Sequence, residues 1–146
     1  MDGVDNLTEW RLLPYPGKKK NYYASNVGQI LGRYASSGKV KVLKPYSPNY
    51  SPAASHKGKG KLYKFAGSNP SQALYKLYVH RLVASVFCPC PSLLHNQVDH
   101  IDGNTLNNNA ANLRWVTDSE NKRARYTLKR GEINITNLQK SMFYVN

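Results

Sequence analysis

Carboxylates are scarce in this sequence and are absent from most of its length. Eight Asp and Glu residues stand against 21 Lys and Arg residues, which gives a formal net charge of +13 at pH 7. No Asp or Glu occurs between Glu9 and Asp99, although lysines and arginines are frequent there. Such a charge predicts a polyanionic partner that is bound through phosphate neutralisation and counterion release, and nucleic acid is the first candidate.

Cysteine and long apolar runs are also scarce. The two cysteines, Cys88 and Cys90, flank a proline at a spacing too short for an ordinary disulfide, and no second pair completes a zinc site. No apolar run approaches the roughly 20 residues needed to span a bilayer, and the N-terminus has no signal-peptide h-region. We therefore expect free thiols in a soluble, intracellular protein with no membrane partner.

Alternation of apolar and polar residues predicts an α+β chain with several short strands before its first helix. Turn-forming residues at Pro14–Gly17 and Asn26–Gly28 divide residues 9 to 34 into two or three strands. Apolar residues at helical spacing then predict a short helix over His80–Phe87, which the following prolines end. Three further segments have the composition of strands: Val40–Lys44, Lys61–Phe65 and Ala73–Val79.

The adjacent residues Asp99 and His100 lie at the end of another predicted strand, and residues 102 to 104 turn the chain out of it. Leu113–Val116 then returns as the second strand of a hairpin. Adjacent strand residues normally point to opposite faces, so the pair can share one site only if the backbone departs from the regular pleat. Asp102 has two interpretations at this stage, a turn former beside a glycine or a further metal ligand.

A helix is predicted directly after the hairpin. Thr117 and Glu120 form a capping box, with Thr117 as the N-cap, and we expect the helix to run to about Arg130. Asn121 then lies in the first helical turn, where the backbone amides make the surroundings electropositive. In that position Asn121 can face the hairpin.

Four residues of this segment have the chemistry of a one-metal phosphodiesterase. A neutral imidazole can accept a proton from water, and His100 is the only histidine next to a carboxylate, so we assign it as the general base. Asp99 and the carboxamide oxygen of Asn121 are hard ligands suited to one Mg²⁺ or Mn²⁺ ion. Asn112 is predicted to hold the His100 ring from the facing strand and to fix its tautomer. Each residue alone has an ordinary structural explanation, and the combination predicts the site.

The same segment resembles the HNH nucleases with the ββα-metal fold, in particular the phage-type homing endonucleases. This resemblance implies the same four roles, with double-stranded DNA as the partner. Asn121 stands where many members have a histidine, a difference shared with monomeric nicking members, so a monomer that nicks one strand is favoured. Residues 9 to 34 resemble the small modular DNA-binding motif that precedes the nuclease in these enzymes. The nuclease resemblance rests on residues 79–84, 98–104, 107–108, 112–117 and 121.

The predicted architecture is a small antiparallel N-terminal β region followed by a ββα-metal (HNH) nuclease core. Residues 1–44 form the DNA-binding motif, 45–60 a flexible basic loop, 61–131 the nuclease core and 132–146 a C-terminal arm. The ββα-metal unit covers about 96–130. Ten basic residues are expected to contact DNA: Lys18, Lys19, Lys20, Lys41, Lys61, Arg81, Arg114, Lys122, Arg123 and Arg125.

Taken together, these features predict a metal-dependent, site-specific DNA endonuclease. It would use one Mg²⁺ or Mn²⁺ ion and no small-molecule cofactor, leave 5′-phosphate and 3′-hydroxyl ends, and act in the cytoplasm of a bacterial host if it is phage-encoded. Two alternatives stay open. A DNA-binding regulator with an inactive nuclease fold would keep the basic surface without the chemistry, and an RNA-binding accessory protein would also suit a basic surface rich in tyrosine.

Overall fold

The chain forms an α+β fold, as predicted, in which a four-stranded sheet precedes a helix, a hairpin and a second helix. A computed structural model describes residues 7–46 and 66–129. The predicted strand Lys61–Phe65, residues 47–60 of the predicted loop and the predicted arm 132–146 lie outside these ranges. In chain order the elements are β1 (Trp10–Leu12), β2 (Lys20–Ser25), β3 (Ile30–Tyr34), β4 (Val40–Val42), α1 (Val79–Phe87), β5 (Gln97–His100), β6 (Leu113–Val116) and α2 (Asp118–Lys129).

The N-terminal sheet is an antiparallel meander in the order β1-β2-β3-β4. Its strands were predicted from the alternation pattern, and the structure confirms them with small shifts in their bounds. Tyr22 and Ala24 are buried on one face of β2, while Tyr23 between them is only half-buried, as the two-residue period requires. Gly28, in the turn between β2 and β3, has a φ of +90°, a conformation that favours glycine.

The predicted strand Ala73–Val79 was wrong. A series of turns occupies this segment, and its strand-like pairing consists of isolated bridges, a parallel one between Gly67 and Tyr75 and another at Tyr78. Lys76 has a φ of +54°, in the left-handed region, which interrupts an extended backbone. The alternation of apolar and polar residues in this segment predicted a strand, but the backbone does not form one.

Helix α1 lies at the centre of the fold. Its buried residues Val79, Leu82 and Val83 recur at helical spacing, and the helix ends at Phe87, as predicted. It packs against the N-terminal sheet on one side and the β5–β6 hairpin on the other. Arg11 of β1 reinforces this packing, because its Nη1 donates a hydrogen bond to the Val86 carbonyl at 2.6 Å.

The hairpin and α2 agree closely with the sequence prediction. Strands β5 and β6 pair in antiparallel register from Gln97 opposite Val116 to His100 opposite Leu113. The capping box at the start of α2 is confirmed: the Glu120 N–H donates to Thr117 Oγ1 at 3.2 Å, and the Thr117 N–H donates to Glu120 Oε2 at 2.8 Å.

One hydrophobic core joins the N-terminal sheet to the hairpin. Removal of this apolar surface from water is the main stabilising term, at about 25 cal/mol per Å². The described parts of residues 1–44 and 61–131 share this core and pack together. The predicted division at this point therefore stays a prediction about the separate functions of the two segments. No described helix has the length and apolarity needed to cross a membrane. The core residues include Leu13, Tyr22, Ala24, Ile30, Leu74, Val79, Leu82, Val83, Val98 and Leu113.

Candidate active site at the hairpin

The backbone stays regular through the pair Asp99 and His100, contrary to the expected departure from the pleat. Both residues keep their partners in the β5–β6 ladder, so their side chains lie on opposite faces of the hairpin. His100 shares its face with Leu113 and contacts α1, whereas Asp99 shares the other face with Arg114. The two predicted catalytic groups therefore flank the hairpin from either side.

Asp99 forms a buried ion pair with Arg114 on the facing strand. Nη2 and Nε of Arg114 both donate to Oδ2 of Asp99, at 2.6 and 3.0 Å. The two residues are 6% and 8% exposed. The prediction of Arg114 as a surface contact to DNA therefore needs correction, because its guanidinium lies inside the fold and is engaged by a carboxylate.

His100 is held by Asn108 and not by Asn112. Its Nε2 donates to Asn108 Oδ1 at 2.8 Å, and both residues are 7% exposed. Nδ1 of the ring makes no hydrogen bond within residues 7–46 and 66–129. The predicted contact of Asn112 with the imidazole was wrong. Asn108 was missed because three consecutive asparagines occupy this loop, and sequence gives no periodicity to show which one turns inward.

Asn112 fixes the loop between the two strands. Its Nδ2 donates to Asp102 Oδ1 and to the Asn107 carbonyl, both at 2.9 Å, and its Oδ1 accepts from the Asp102 N–H at 3.0 Å. Burial raises the pKa of Asp102, but hydrogen bonds from Asn107, Asn104 and Asn112 outweigh it and lower the pKa overall. Asp102 also accepts from the Asn104 N–H at 2.8 Å, so the interpretation as a turn former describes its place in the structure.

His80 of α1 is the second buried histidine beside the hairpin. Its ring centroid lies 5.1 Å from that of His100. Burial lowers the pKa of His80 to about 3, and the neighbouring His100 and Arg81 lower it further in the same direction. His80 is therefore neutral at physiological pH and places no positive charge against His100.

Asn121 lies where the capping box predicted, in the first turn of α2, and is 7% exposed. Its N–H donates to the Thr117 carbonyl at 3.0 Å, but its carboxamide makes no hydrogen bond to any residue that the structure describes. Helix α2 packs against β5, the strand of Asp99. The carboxamide of this largely buried residue is therefore left for solvent or a bound ion.

These donors fit a hard divalent cation. Oδ2 of Asp99 takes both bonds from Arg114, and its Oδ1 accepts none within the described ranges. One carboxylate oxygen and one amide oxygen are ligands that Mg²⁺ and Mn²⁺ prefer. Among the described residues no group of three or more His, Cys, Asp or Glu could hold a metal, so a site here depends on the asparagine and on substrate or water oxygens.

The other predicted DNA contacts lie in several parts of the fold. Lys18, Lys19 and Lys41 are exposed on the N-terminal sheet and its turns, and the Lys20 ammonium lies 4.4 Å from the centre of the Tyr34 ring. Arg81 has a structural position, because its Nη1 donates to the Asn96 carbonyl at 3.0 Å. On α2, Arg123 is exposed and Lys122 pairs with Asp118 at 2.7 Å. The side chain of Arg125 and the whole of Lys61 lie outside the described residues.

Comparison with known proteins identifies the hairpin segment. Residues 77–123 match the family model described as HNH endonuclease. This range contains α1, the hairpin, and the start of α2 with Asn121. These residues are therefore an HNH endonuclease domain, as the resemblance implied.

Particular relatives extend the similarity beyond this domain. DNA endonuclease I-HmuI of Bacillus phage SP01 is 33% identical over 134 residues, which are 90% of this chain and 64% of that protein. An uncharacterized HNH endonuclease, L245 of Acanthamoeba polyphaga mimivirus, is 36% identical over 101 residues, 69% of this chain and 26% of that protein. The solved structure of the HNH homing endonuclease I-HmuI superimposes with a TM-score of 0.56 at 31% identity, covering 90% of this chain and 64% of that one. The chain thus spans less than two thirds of the length of these relatives.

Proposed function

We propose that this chain is a metal-dependent, homing-type HNH DNA endonuclease that hydrolyses a phosphodiester bond of double-stranded DNA. The observation that carries the proposal is a pair of oxygen ligands on two elements that pack together, Asp99 Oδ1 on β5 and the Asn121 carboxamide on α2. Both residues are largely buried, and neither of these groups has a hydrogen-bond partner among the described residues. The HNH match over residues 77–123 supports it. So does the similarity to I-HmuI, whose solved structure is described as DNA binding and cleavage by that enzyme.

His100 is the proposed general base. Its Nε2 is engaged by Asn108, so Nδ1 is the nitrogen left to take a proton from the attacking water. The ring of His80 beside it is neutral, so His80 places no second cation against the His100 ring. Because Asp99 and His100 lie on opposite faces of β5, one phosphate can reach both groups only at the end of the strand, where β5 ends at His100 and the chain turns away.

Asp99 and Asn121 would hold the divalent cation, Mg²⁺ or Mn²⁺, which when bound polarises the scissile phosphate and stabilises the leaving 3′ oxygen. Arg114 orients Asp99, because both of its donors take Oδ2 and leave Oδ1 for the cation. Asn112 does not touch His100 or the proposed metal ligands. It acts indirectly, because its hydrogen bonds fix the loop next to His100.

Double-stranded DNA is the proposed substrate because the stretch between Glu9 and Asp99 contains many lysines and arginines but no Asp or Glu. Lys18, Lys19 and Lys41 on the N-terminal sheet can neutralise phosphates, as can Lys122 and Arg123 on α2. One HNH domain supplies one active site per chain, which favours a monomer that nicks one strand. The products would carry 5′-phosphate and 3′-hydroxyl ends.

A DNA-binding regulator with an inactive nuclease fold is the second candidate. The burial of His100 and Asp99, with Asp99 already paired to Arg114, favours it, since neither group faces open solvent. The two candidates differ in whether DNA is cleaved when metal is present.

A cleavage map on a random-sequence duplex library tests the proposal. The chain is incubated with Mg²⁺, with Mn²⁺, or with EDTA, and the ends that form are sequenced and tested for ligation. We expect cuts at a defined site with either ion, with 5′-phosphate and 3′-hydroxyl ends, and none with EDTA. Specific binding of library members without cleavage under any of these conditions would instead support the regulator.

A further inference from the structure

The turn between β2 and β3 of the N-terminal sheet is in direct contact with the loop that contains Asn108. The Ala110 N–H donates to the Asn26 carbonyl at 2.8 Å. Gly28 approaches so closely that a Cβ at this position would lie 2.8 Å from the carbonyl oxygen of Asn108 and 3.0 Å from its Cβ. Such distances essentially exclude a side chain, so the glycine permits the contact.

The same turn is held by several hydrogen bonds. Within it the Gly28 N–H donates to the Ser25 carbonyl at 3.1 Å, and the Gln29 N–H donates to Ser25 Oγ at 2.9 Å. Asn26 is tied to the chain before β1, since its Oδ1 accepts from the Glu9 N–H at 2.9 Å. A fixed turn can hold its neighbour in place, whereas a mobile one cannot.

Asn108 in turn decides which nitrogen of His100 carries the proton. In this orientation of the amide Oδ1 lies 2.8 Å from Nε2, and an oxygen without a hydrogen can only accept, so the proton is on Nε2. An amide turned by 180° would present Nδ2–H and would require the lone pair on Nε2 instead. With the amide in this orientation, the opposite tautomer would set the Nε2 lone pair against the lone pairs of Oδ1, and the low dielectric inside the fold makes this repulsion strong. Nδ1 is thereby left with the lone pair.

We propose that Asn108 is the positioning residue for the base, and that the N-terminal sheet holds Asn108 in place through the contact at Gly28. This inference rests on the proposed function, in which His100 accepts the proton of the attacking water. It gives the N-terminal β region a second role beside DNA contact, because the sheet that carries Lys18 and Lys41 also sets the state of the catalytic ring.

The tautomer itself is the first readout, and it requires neither metal nor DNA. In the ¹⁵N-histidine-labelled chain at pH 8.5, the His100 signals are assigned by their loss in His100→Gln, and long-range ¹H–¹⁵N couplings report the protonated nitrogen. We expect the Nε2–H form in the wild type and a mixture of both tautomers in Asn108→Ala. Asn108→Asp keeps an acceptor at this position, so it should retain the Nε2–H form.

Two glycine variants test the role of the sheet. Gly28 and Gly38 both have positive φ, +90° and +67°, so alanine is strained at each. Among the described residues a Cβ at Gly38 would meet Arg33 Nη2 alone, at 3.8 Å, whereas at Gly28 it would displace Asn108. We therefore expect Gly28→Ala to give the mixed tautomer and Gly38→Ala, the matched control, to keep the Nε2–H form.

Kinetics supply the second readout. Asn108→Ala and Gly28→Ala should lower kcat by about 10- to 100-fold, as loss of an orienting hydrogen bond does, with KM for the mapped DNA site unchanged.

Wild-type His100 in the Nδ1–H form, or an unaltered tautomer in Asn108→Ala, would overturn the assignment to Asn108. A normal tautomer in a folded Gly28→Ala would overturn the role of the sheet. If the wild type shows the expected tautomer but never cleaves DNA, the proposed function fails and the contact at His100 stands.

Discussion

Asp99 and Arg114 face each other across the β5–β6 hairpin, and both donors of the guanidinium that reach the carboxylate share one oxygen, Oδ2, at 2.6 and 3.0 Å. In this geometry Oδ1 of Asp99 makes no hydrogen bond to Arg114. A buried ion pair of this kind contributes little net stability, but loss of one partner leaves an uncompensated charge inside the protein.

Replacement of Arg114 by methionine should therefore destabilise the fold strongly. We expect the free energy of unfolding to fall by about 3 to 5 kcal/mol, measured by urea denaturation at pH 7.5. Lys122→Ala is the matched control, because its pair with Asp118 is exposed and worth less than about 1 kcal/mol. Equal effects of the two variants would show that Asp99 does not depend on its partner.

The buried His80 makes stability depend on pH. Its pKa of about 3 in the folded chain lies below the unfolded value of 6.5, so the unfolded state binds a proton first as pH falls. The contribution of neutral His80 is complete above pH 6.5 and is lost progressively as pH falls from there towards 3. Between pH 7 and pH 5 the loss should be about 2 kcal/mol.

Urea denaturation of the wild type and of His80→Gln at pH 7 and pH 5 measures this contribution. Glutamine does not titrate, so the variant should lose about 2 kcal/mol less over this interval than the wild type. Parallel losses in the two proteins would mean that His80 is already charged in the folded state at pH 5.

Removal of the Asn121 carboxamide should weaken metal binding without weakening the fold. Since this group makes no hydrogen bond to the described protein, we expect Asn121→Ala to change the free energy of unfolding by less than about 1 kcal/mol. The affinity for Mn²⁺, measured by electron paramagnetic resonance in the absence of DNA, should fall at least about tenfold.

Asn96→Ala is the control for metal binding, since Asn96 is exposed in the loop before β5. Its Mn²⁺ affinity should match that of the wild type. Wild-type affinity in Asn121→Ala would remove this residue from the metal site.

The lysines before and at the start of β2 should contribute to DNA affinity through charge. Replacement of Lys18, Lys19 and Lys20 by alanine should weaken binding of all duplexes alike. The slope of log Kobs against log salt concentration should become shallower by about 0.9 for each lysine that contacts a phosphate. The triple arginine variant keeps the charge and serves as the control, and an unchanged slope in the alanine variant would place these lysines outside the interface.

Local signals made much of the fold predictable. The capping box of Thr117 and Glu120 located the start of α2 because both hydrogen bonds are formed within four residues of chain. Long-range packing was harder to predict. The left-handed Lys76 removed an expected strand, and burial of Arg114 followed from its cross-strand register with Asp99, which sequence alone does not reveal.

The site was predicted in its residue types more completely than in its contacts. Asp99, His100 and Asn121 were predicted by chemistry and spacing, and the structure buries all three at the hairpin and α2, while their catalytic and metal-binding roles stay predictions. The partner of His100 was wrong, because Asn108 and Asn112 lie in the same irregular loop and differ only in the path of the backbone. No sequence period encodes that path.

The central claim is that His100 accepts a proton in phosphodiester hydrolysis. The most direct measurement is single-turnover cleavage, with Mg²⁺, of the duplex site found in the library map, by the wild type, by His100→Ala and by His95→Ala. His95 is the control because its ring contacts Ser92 and Glu120 and makes no described contact with Asp99, His100 or Asn121. We predict that His100→Ala cleaves about 10²- to 10⁴-fold more slowly while its DNA affinity is unchanged, and that His95→Ala matches the wild type. Cleavage by His100→Ala at the wild-type rate would contradict the account.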